Sequence, residues 1–239
     1  MVKDMPQGLN ADQKKSIVAA IAAAELKTAG EIVVVVARKS SDYNLVPWVY
    51  GIGGALALPL LLVMFGLNPI TLAEWFHATQ SGGWRLGLGL SAQDEAQTGM
   101  VLILTAQVLI VMLAQIVGRI SAVRATLTPS WIKRQRVHQA ALDQFVAQAM
   151  QETQARTGVL IYVSLREKQA EIVADSGIYT KVDQGVWRAV IQDLVTAARG
   201  GDLTLGLVGA VEASATILAP HFPPVAGDAD ELSNKVILL

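Results

Sequence analysis

Residues Ile32 to Ala37 read IVVVVA, an unbroken, β-branched run too short for a helix and typical of a strand buried on both faces. Such a strand needs a sheet around it, and the neighbouring sequence offers none. Upstream, LNADQKKSIVAAIAAAELKTAG reads as an amphipathic helix, with a cap at Asn10 or Asp12, apolar Ile17, Ile21 and Ala24 at helical spacing, and Gly30 as a stop. Downstream, no residue between Asp42 and Glu74 is formally charged. Within that stretch Leu45 to Leu67, LVPWVYGIGGALALPLLLVMFGL, is long enough to cross about 30 Å of hydrocarbon at about 1.5 Å per residue. The partners of IVVVVA must therefore come from much later in the chain.

A second uncharged run, Ala96 to Gly118, contains MVLILTAQVLIVMLAQIVG, a stretch whose amide side chains are Gln107 and Gln115. The mean hydropathy of +0.42 and the 16% of charged residues agree with a membrane protein. Arg38 and Lys39 precede the first span, and Arg119, Arg124, Lys133, Arg134 and Arg136 follow the second. The connecting segment sets Arg85 against Glu74, Asp94 and Glu95. This asymmetry predicts a multi-pass protein of the inner (cytoplasmic) membrane, with both termini and the soluble part cytoplasmic. The polar first residues, with no apolar core, predict no cleavable signal peptide. Pro59 is tolerable in a span where neighbouring groups re-satisfy the freed carbonyl, and Gly51, Gly53, Gly54 and Ala55 offer a small-residue face for helix contact, including a homo- or hetero-oligomer. The segment 74–95, with Trp75, Phe76, His77 and Trp84, is expected at the far interface. His77 has no second histidine at helical spacing to make a ligand pair.

After the second span, Thr128 and Pro129 open a helix predicted to run through Trp131, Val137, Leu142, Phe145, Ala149 and Met150 to about Arg156. Val159–Leu165 and Ala170–Ala174 read as a hairpin turning at 166–169, and Gln184–Arg199 and Asp202–Leu218 as helices separated by Gly200 and Gly201. The tail 221–239 adds an edge strand or lies along the domain. ELKTAGEIVVVVARKS, Glu25 to Ser40, is thus echoed by QARTGVLIYVSLREK, Gln154 to Lys168: each passes through Thr and Gly into an apolar strand. The expected fold class is an α/β membrane protein: two transmembrane helices inserted into a small cytoplasmic α/β domain with a mixed sheet, the repeated strands parallel neighbours. The segments are 1–42, a first helix-strand unit; 43–73 and 96–118, the spans; 119–220, the rest of the domain; and 221–239, the tail.

The chain has no cysteine, which excludes thiolate chemistry and cysteine-ligated metals, and its net charge of -1 argues against nucleic acid as a partner. It contains no Ser-His-Asp arrangement, HExxH or phosphate-binding GxxxxGK[ST] loop. GLGLSA, Gly87 to Ala92, follows no soluble strand. Asp175 reads as a turn residue and Asp183 as a helix cap; His138 belongs to a basic surface and His221 to a proline-rich loop. Trp131, Lys133, Arg134 and Arg136, just past the second span, suit contacts to the bilayer surface, worth about 1 kcal/mol per basic residue.

From Thr157 to Leu218, TGVLIYVSLREKQAEIVADSGIYTKVDQGVWRAVIQDLVTAARGGDLTLGLVGAVEASATIL resembles the core of the TPM domain family, found in thylakoid photosystem II repair proteins and many bacterial membrane proteins. The resemblance implies one of two activities. Plant members are acid phosphatases, some binding divalent cations in an acidic cleft, and other members are accessory factors for membrane-complex repair or assembly. Where many members carry DDR this chain has Arg166, Glu167 and Lys168, and where they carry GYG it has Ser176, Gly177, Ile178 and Tyr179. Asp175 and Asp183, with Glu171 on the strand between, are the carboxylates left near the expected cleft, and the resemblance makes them the metal candidates for Ca or Mg. The residues themselves call for no cofactor and name no catalytic group. The expected function is a membrane-anchored accessory or scaffold protein, partnered by the bilayer and another integral membrane protein or complex. The alternative is a membrane-bound, divalent-cation-dependent phosphatase-like hydrolase.

Overall fold

The computed structural model describes residues 9–80, 92–153, 156–224 and 236–239. In chain order the elements are α1 (Ala11–Glu25), β1 (Ile32–Ala37), α2 (Val46–Met64), α3 (Pro69–Gln80), α4 (Ala92–Gly118), α5 (Ser121–Leu127), α6 (Ser130–Ala147), β2 (Val159–Ser164), β3 (Gln169–Ala174), α7 (Ser176–Tyr179), α8 (Gln184–Arg199), α9 (Leu203–Leu218) and β4 (Val236–Leu238). They form two compact units: Met1–Ser41 with Pro129–Leu239, and Asp42–Thr128.

The first unit is an α/β domain whose sheet has the order β3-β2-β1-β4. β1 and β2, the two echoed strands, pair in parallel from Ile32↔Val159 to Ala37↔Ser164. β3 returns antiparallel to β2, and the tail adds β4 parallel to β1, so the sheet is mixed. All six residues of β1 and of β2 are buried because both faces are covered. On one face Val34, Val36, Ile161 and Ile172 pack with Ile17 and Ile21 of α1, Leu194 of α8 and Leu207 of α9. On the other, Val33, Val35, Leu160 and Tyr162 meet Val137, Ala141 and Phe145 of α6.

The shared Thr and Gly of the two copies have local causes. Thr157 Oγ1 donates to Ala29 O at 3.0 Å, and Thr28 Oγ1 donates to Phe222 O at 2.8 Å, tying each strand entrance to a neighbouring segment. A Cβ on Gly30 would stand 2.7 Å from Leu218 Cδ1, and one on Gly158 would stand 2.7 Å from Met150 O. Gly158 requires the absence of a side chain, because a backbone carbonyl stands in the way, whereas at Gly30 the end of the Leu218 side chain would have to move.

Some element ends differ from those predicted. α1 is capped by Asn10, whose side chain and that of Gln13 exchange bonds with each other's backbone N–H at 2.8 Å, and the helix stops at Glu25, ahead of Gly30. α6 stops at Ala147 and not near Arg156: Ala149 takes a left-handed φ of 54°, and a short 3-10 turn, Met150–Glu152, sends Met150 into the core under α6. That burial offsets the cost of a non-glycine residue in the left-handed region. The hairpin turn occupies 165–168, with Lys168 at φ 53°, and β3 starts at Gln169.

In the second unit α2 and α4 are antiparallel neighbours. Pro47 meets Gly118, Gly51 faces Ala114 and Val111, and Gly54 faces Ile110, while Gly53 points into open space. The small-residue face thus serves contact within the chain. Pro59 lacks the N–H that would reach Ala55 O, and Gln107 Nε2 of α4 donates to that carbonyl at 2.9 Å. α3 is capped by Asn68, which accepts from Thr71 N at 2.9 Å, and leaves Trp75 69% exposed. α5 was not predicted; its residues group with the helical unit, although the sequence assigned everything after 118 to the α/β domain. Trp84, Arg85 and most of GLGLSA lie outside the described residues.

Candidate functional site

The carboxylates singled out from sequence flank the short α7. Asp175 ends β3 and caps α7: its Oδ1 accepts from Ser176 N and from Ser176 Oγ, the latter at 2.9 Å. Asp183 caps α8, accepting from Gly185 N at 2.8 Å through Oδ1. Both do the capping work that places Asp at helix starts. Asp175 is buried, and its Oδ2 has no protein partner among the described residues. A hard divalent cation takes six or more oxygens. Among the described residues no three His, Asp or Glu side chains converge, so this pair supplies one buried, uncommitted oxygen where a Ca or Mg site needs several. The third acidic residue, Glu171, turns elsewhere and bonds His138 Nδ1 of α6 at 3.0 Å on the surface.

A denser polar cluster, which the sequence did not reveal, sits at the C-terminal ends of β1 and β2. Ser164 Oγ donates to Glu167 Oε2, Ser40 Oγ donates to Ser164 Oγ at 2.8 Å, and Ser40 N donates to Glu167 Oε2 at 3.1 Å. Each serine hydroxyl carries one proton, so the 3.0 Å contact between Tyr162 OH and Ser40 Oγ has the tyrosine as donor. The chain of bonds runs one way, from phenol to carboxylate, and Tyr162, Ser164 and Glu167 are all buried. It locks the exit of β1 to the β2-β3 turn just before the chain leaves this unit. The available sign was Tyr162 and Ser164 two apart in an otherwise apolar strand, on one face of the sheet. Next to Ser164 lies an apolar pocket walled by Leu165, Leu194 and Leu203 and reached by Lys168 and Arg199. Its volume of about 30 Å³ suits two or three waters and no phosphate-ester substrate.

Burial is the main cause that raises the Tyr162 pKa above 10.0; the Ser40 hydroxyl, once turned to donate to the phenolate, opposes it, and the Glu167 charge adds to it. Between pH 10.0 and the folded value, the unfolded chain loses a proton that the folded chain keeps. Stability conferred by Tyr162 is therefore complete below pH 10.0 and falls as the pH rises beyond it. Denaturant unfolding from pH 8 to 11.5 should show a steeper loss above about pH 10 for the wild type than for Tyr162→Phe. Equal slopes would show that the phenol is not held neutral.

Trp131, Lys133, Arg134 and Arg136 occupy the first two turns of α6. Trp131 is 63% exposed, Arg134 and Arg136 are exposed and Lys133 is half-buried, while Val137, Ala141 and Phe145 turn inward from the same helix. His138 is exposed, as its place among basic residues suggested.

The α/β unit, with its mixed sheet covered on both faces and interrupted by a helical insertion after β1, defines a small split α/β domain. The TPM domain family matches residues 105–217 of the chain. A solved structure, the NMR structure of BA42 protein from the psychrophilic bacterium Bizionia argentinensis, is similar in fold, with a TM-score of 0.55 and 20% identity over 99% of each chain. A comparison with curated proteins gave no match.

Proposed function

We propose that α2 and α4 anchor the TPM domain to the cytoplasmic membrane, and that the domain acts there as an accessory or scaffold protein for another membrane protein complex. The observation that carries the anchoring is the exposure of the two apolar helices. In their most apolar 18-residue windows 11% of α2 and none of α4 is buried, so neither is a core helix of a soluble domain. Leu56, Leu60, Leu104 and Leu113 are each more than 60% exposed, which water would penalise and acyl chains would not. Trp131, Lys133, Arg134 and Arg136, a few residues past the helical unit, would then meet the headgroups.

The absence of cysteine makes the topology directly testable. In sealed inner-membrane vesicles of known sidedness, Gln135→Cys should react with a membrane-impermeant maleimide from the cytoplasmic side and Ala78→Cys from the opposite side. Labelling of both from one side overturns the two-span reading.

The non-enzymatic role is supported by the use of Asp175 and Asp183 as helix caps. The second reading, a divalent-cation-dependent phosphatase-like hydrolase, draws on the uncommitted Oδ2 of Asp175. Purified protein should hydrolyse p-nitrophenyl phosphate no faster with Mg or Ca than with chelator. Metal-dependent turnover that disappears in Asp175→Ala would establish the hydrolase instead.

A further inference from the structure

The helical unit carries a polar cavity at the end where the chain enters α2 and leaves α4. Asn44, Gln115, Arg119 and Arg124 line it, with Pro47 and Gly118 as its floor, and its volume is about 410 Å³. Among the described residues no carboxylate lines it, so the two guanidinium groups meet no counter-charge from those residues in its wall. Asn44 Oδ1 accepts from Nη1 of Arg124, which orients the guanidinium and leaves its Nε side bare. Arg124 Nε and Gln115 Nε2 are both buried and have no hydrogen-bond partner among the described residues. Two buried N–H donors without acceptors are costly and call for a missing partner.

Adjoining this cavity, and sharing Pro47, Gly118 and Arg124 with it, is a groove of about 310 Å³ with an almost wholly apolar lining. Val46, Tyr50, Leu113, Val117 and Leu127 form its walls, and the Tyr50 hydroxyl is turned out of the way, donating to Leu127 O at 3.0 Å. Gly118 and Pro47, which wall both compartments, stand in close contact: a Cβ on Gly118 would collide with the proline ring.

We propose that this is a binding site for one anionic glycerophospholipid: the phosphate on Arg124, Arg119 and Gln115, and an acyl chain in the groove beside it. The shapes and charges match the two halves of such a lipid. A guanidinium held by one edge offers the other to phosphate oxygens, the geometry in which Arg outperforms Lys, and basic pockets between membrane helices commonly take acidic headgroups. The groove volume falls at the low end of ligand sites, as one chain rather than a whole lipid requires. The proposal rests on the membrane reading above and adds a specific ligand to it.

The test uses the full chain, purified in dodecyl maltoside, delipidated, and analysed by native mass spectrometry with added dioleoyl phosphatidylglycerol, phosphatidic acid or phosphatidylcholine. The two anionic lipids should each be retained at one per chain, and phosphatidylcholine should not. Arg124→Gln should weaken retention at least about tenfold, Gln115→Leu several-fold, and Arg188→Gln, on α8, should leave it unchanged; circular dichroism checks that each variant is folded. Equal retention of phosphatidylcholine, or unchanged retention in both folded Arg124→Gln and Gln115→Leu, overturns the proposal. So does displacement of the lipid by millimolar inorganic phosphate, which would make the ligand a free anion. Carbonate extraction of membranes separates the two levels: protein that stays in the pellet but retains no anionic lipid overturns this site and leaves the anchoring intact.

Discussion

Val34→Asp should unfold the whole α/β unit, although most of that unit lies after residue 128. Val34 has no exposed surface and stands in β1 between β2 and β4, with helices over both faces of the sheet. An aspartate there has neither water nor a cation to meet, and its position is paired on both sides, with Ile161 and with Val236. Burying an unpaired charge or unsatisfied carboxyl costs about 4 kcal/mol or more, comparable with the entire stability of many domains at about 5–15 kcal/mol. Hydrogen exchange on the full chain in detergent should show the amides of Val159–Ser164 and Gln169–Ala174 losing protection together with those of α1. The amides of α4 should keep theirs, because the helical unit has its own internal contacts. Retained protection in β2 would mean that residues after 128 fold without β1, and the split-domain account would fail.

The second large effect lies in the helical unit. Gln107→Leu should destabilise the α2-α4 pair by about 1–2 kcal/mol, because Ala55 O is left with neither a helical N–H nor a side-chain donor in an apolar setting. Pro59→Ala restores the N–H that belongs to that carbonyl. In the Pro59→Ala background the cost of Gln107→Leu should therefore shrink by about 1 kcal/mol, a coupling that a double-mutant cycle isolates. Unfolding of the full chain in mixed micelles, monitored by helical circular dichroism, provides the four free energies. Additive effects would show that the glutamine does not serve the carbonyl freed by the proline. The cycle also distinguishes this role from simple amide-mediated helix contact, which would be indifferent to residue 59.

Much of the α/β unit was legible because its signals are local. IVVVVA declared a doubly buried strand through its lack of alternation, and its echo VLIYVS declared a second. The cap at Asp183, and one at Asn10 or Asp12, could be read from residue type and spacing, since a capping side chain reaches only two or three residues along its own chain. The end of α6 was not legible: a helix-compatible stretch was broken at Ala149 so that Met150 could reach the core between α6 and the sheet, and tertiary packing outweighed the local preference. α5 was missed because its seven residues are too few to declare a period of their own.

The polar sites divide the same way. Asp175 and Asp183 attracted attention as carboxylates near an expected cleft; Asp183 fills the cap role read for it, and Asp175, read as a turn residue, caps α7. The Ser40, Tyr162, Ser164 and Glu167 chain joins residues up to 127 positions apart. It exists because Ala37 lies opposite Ser164 in the parallel register, which brings the loop after β1 beside the end of β2. A slip by one residue would turn Tyr162 and Ser164 to the other face and dissolve it. Gln107 at Ala55, and Arg124 beside Gln115, depend in the same manner on how two helices are set against each other.

By itself, then, the sequence determined most of the helices and strands of the α/β unit, and that IVVVVA needed partners from beyond the helical insertion. Those properties follow from periodicity and apolar length, both carried along the chain. The tertiary structure alone decided the register of β1 on β2, the tail's place as the edge strand, and the meetings of polar groups remote in sequence. Hydrophobic burial rewards many arrangements of the same apolar surface almost equally, whereas a hydrogen bond requires its two atoms within a few tenths of an ångström of one distance.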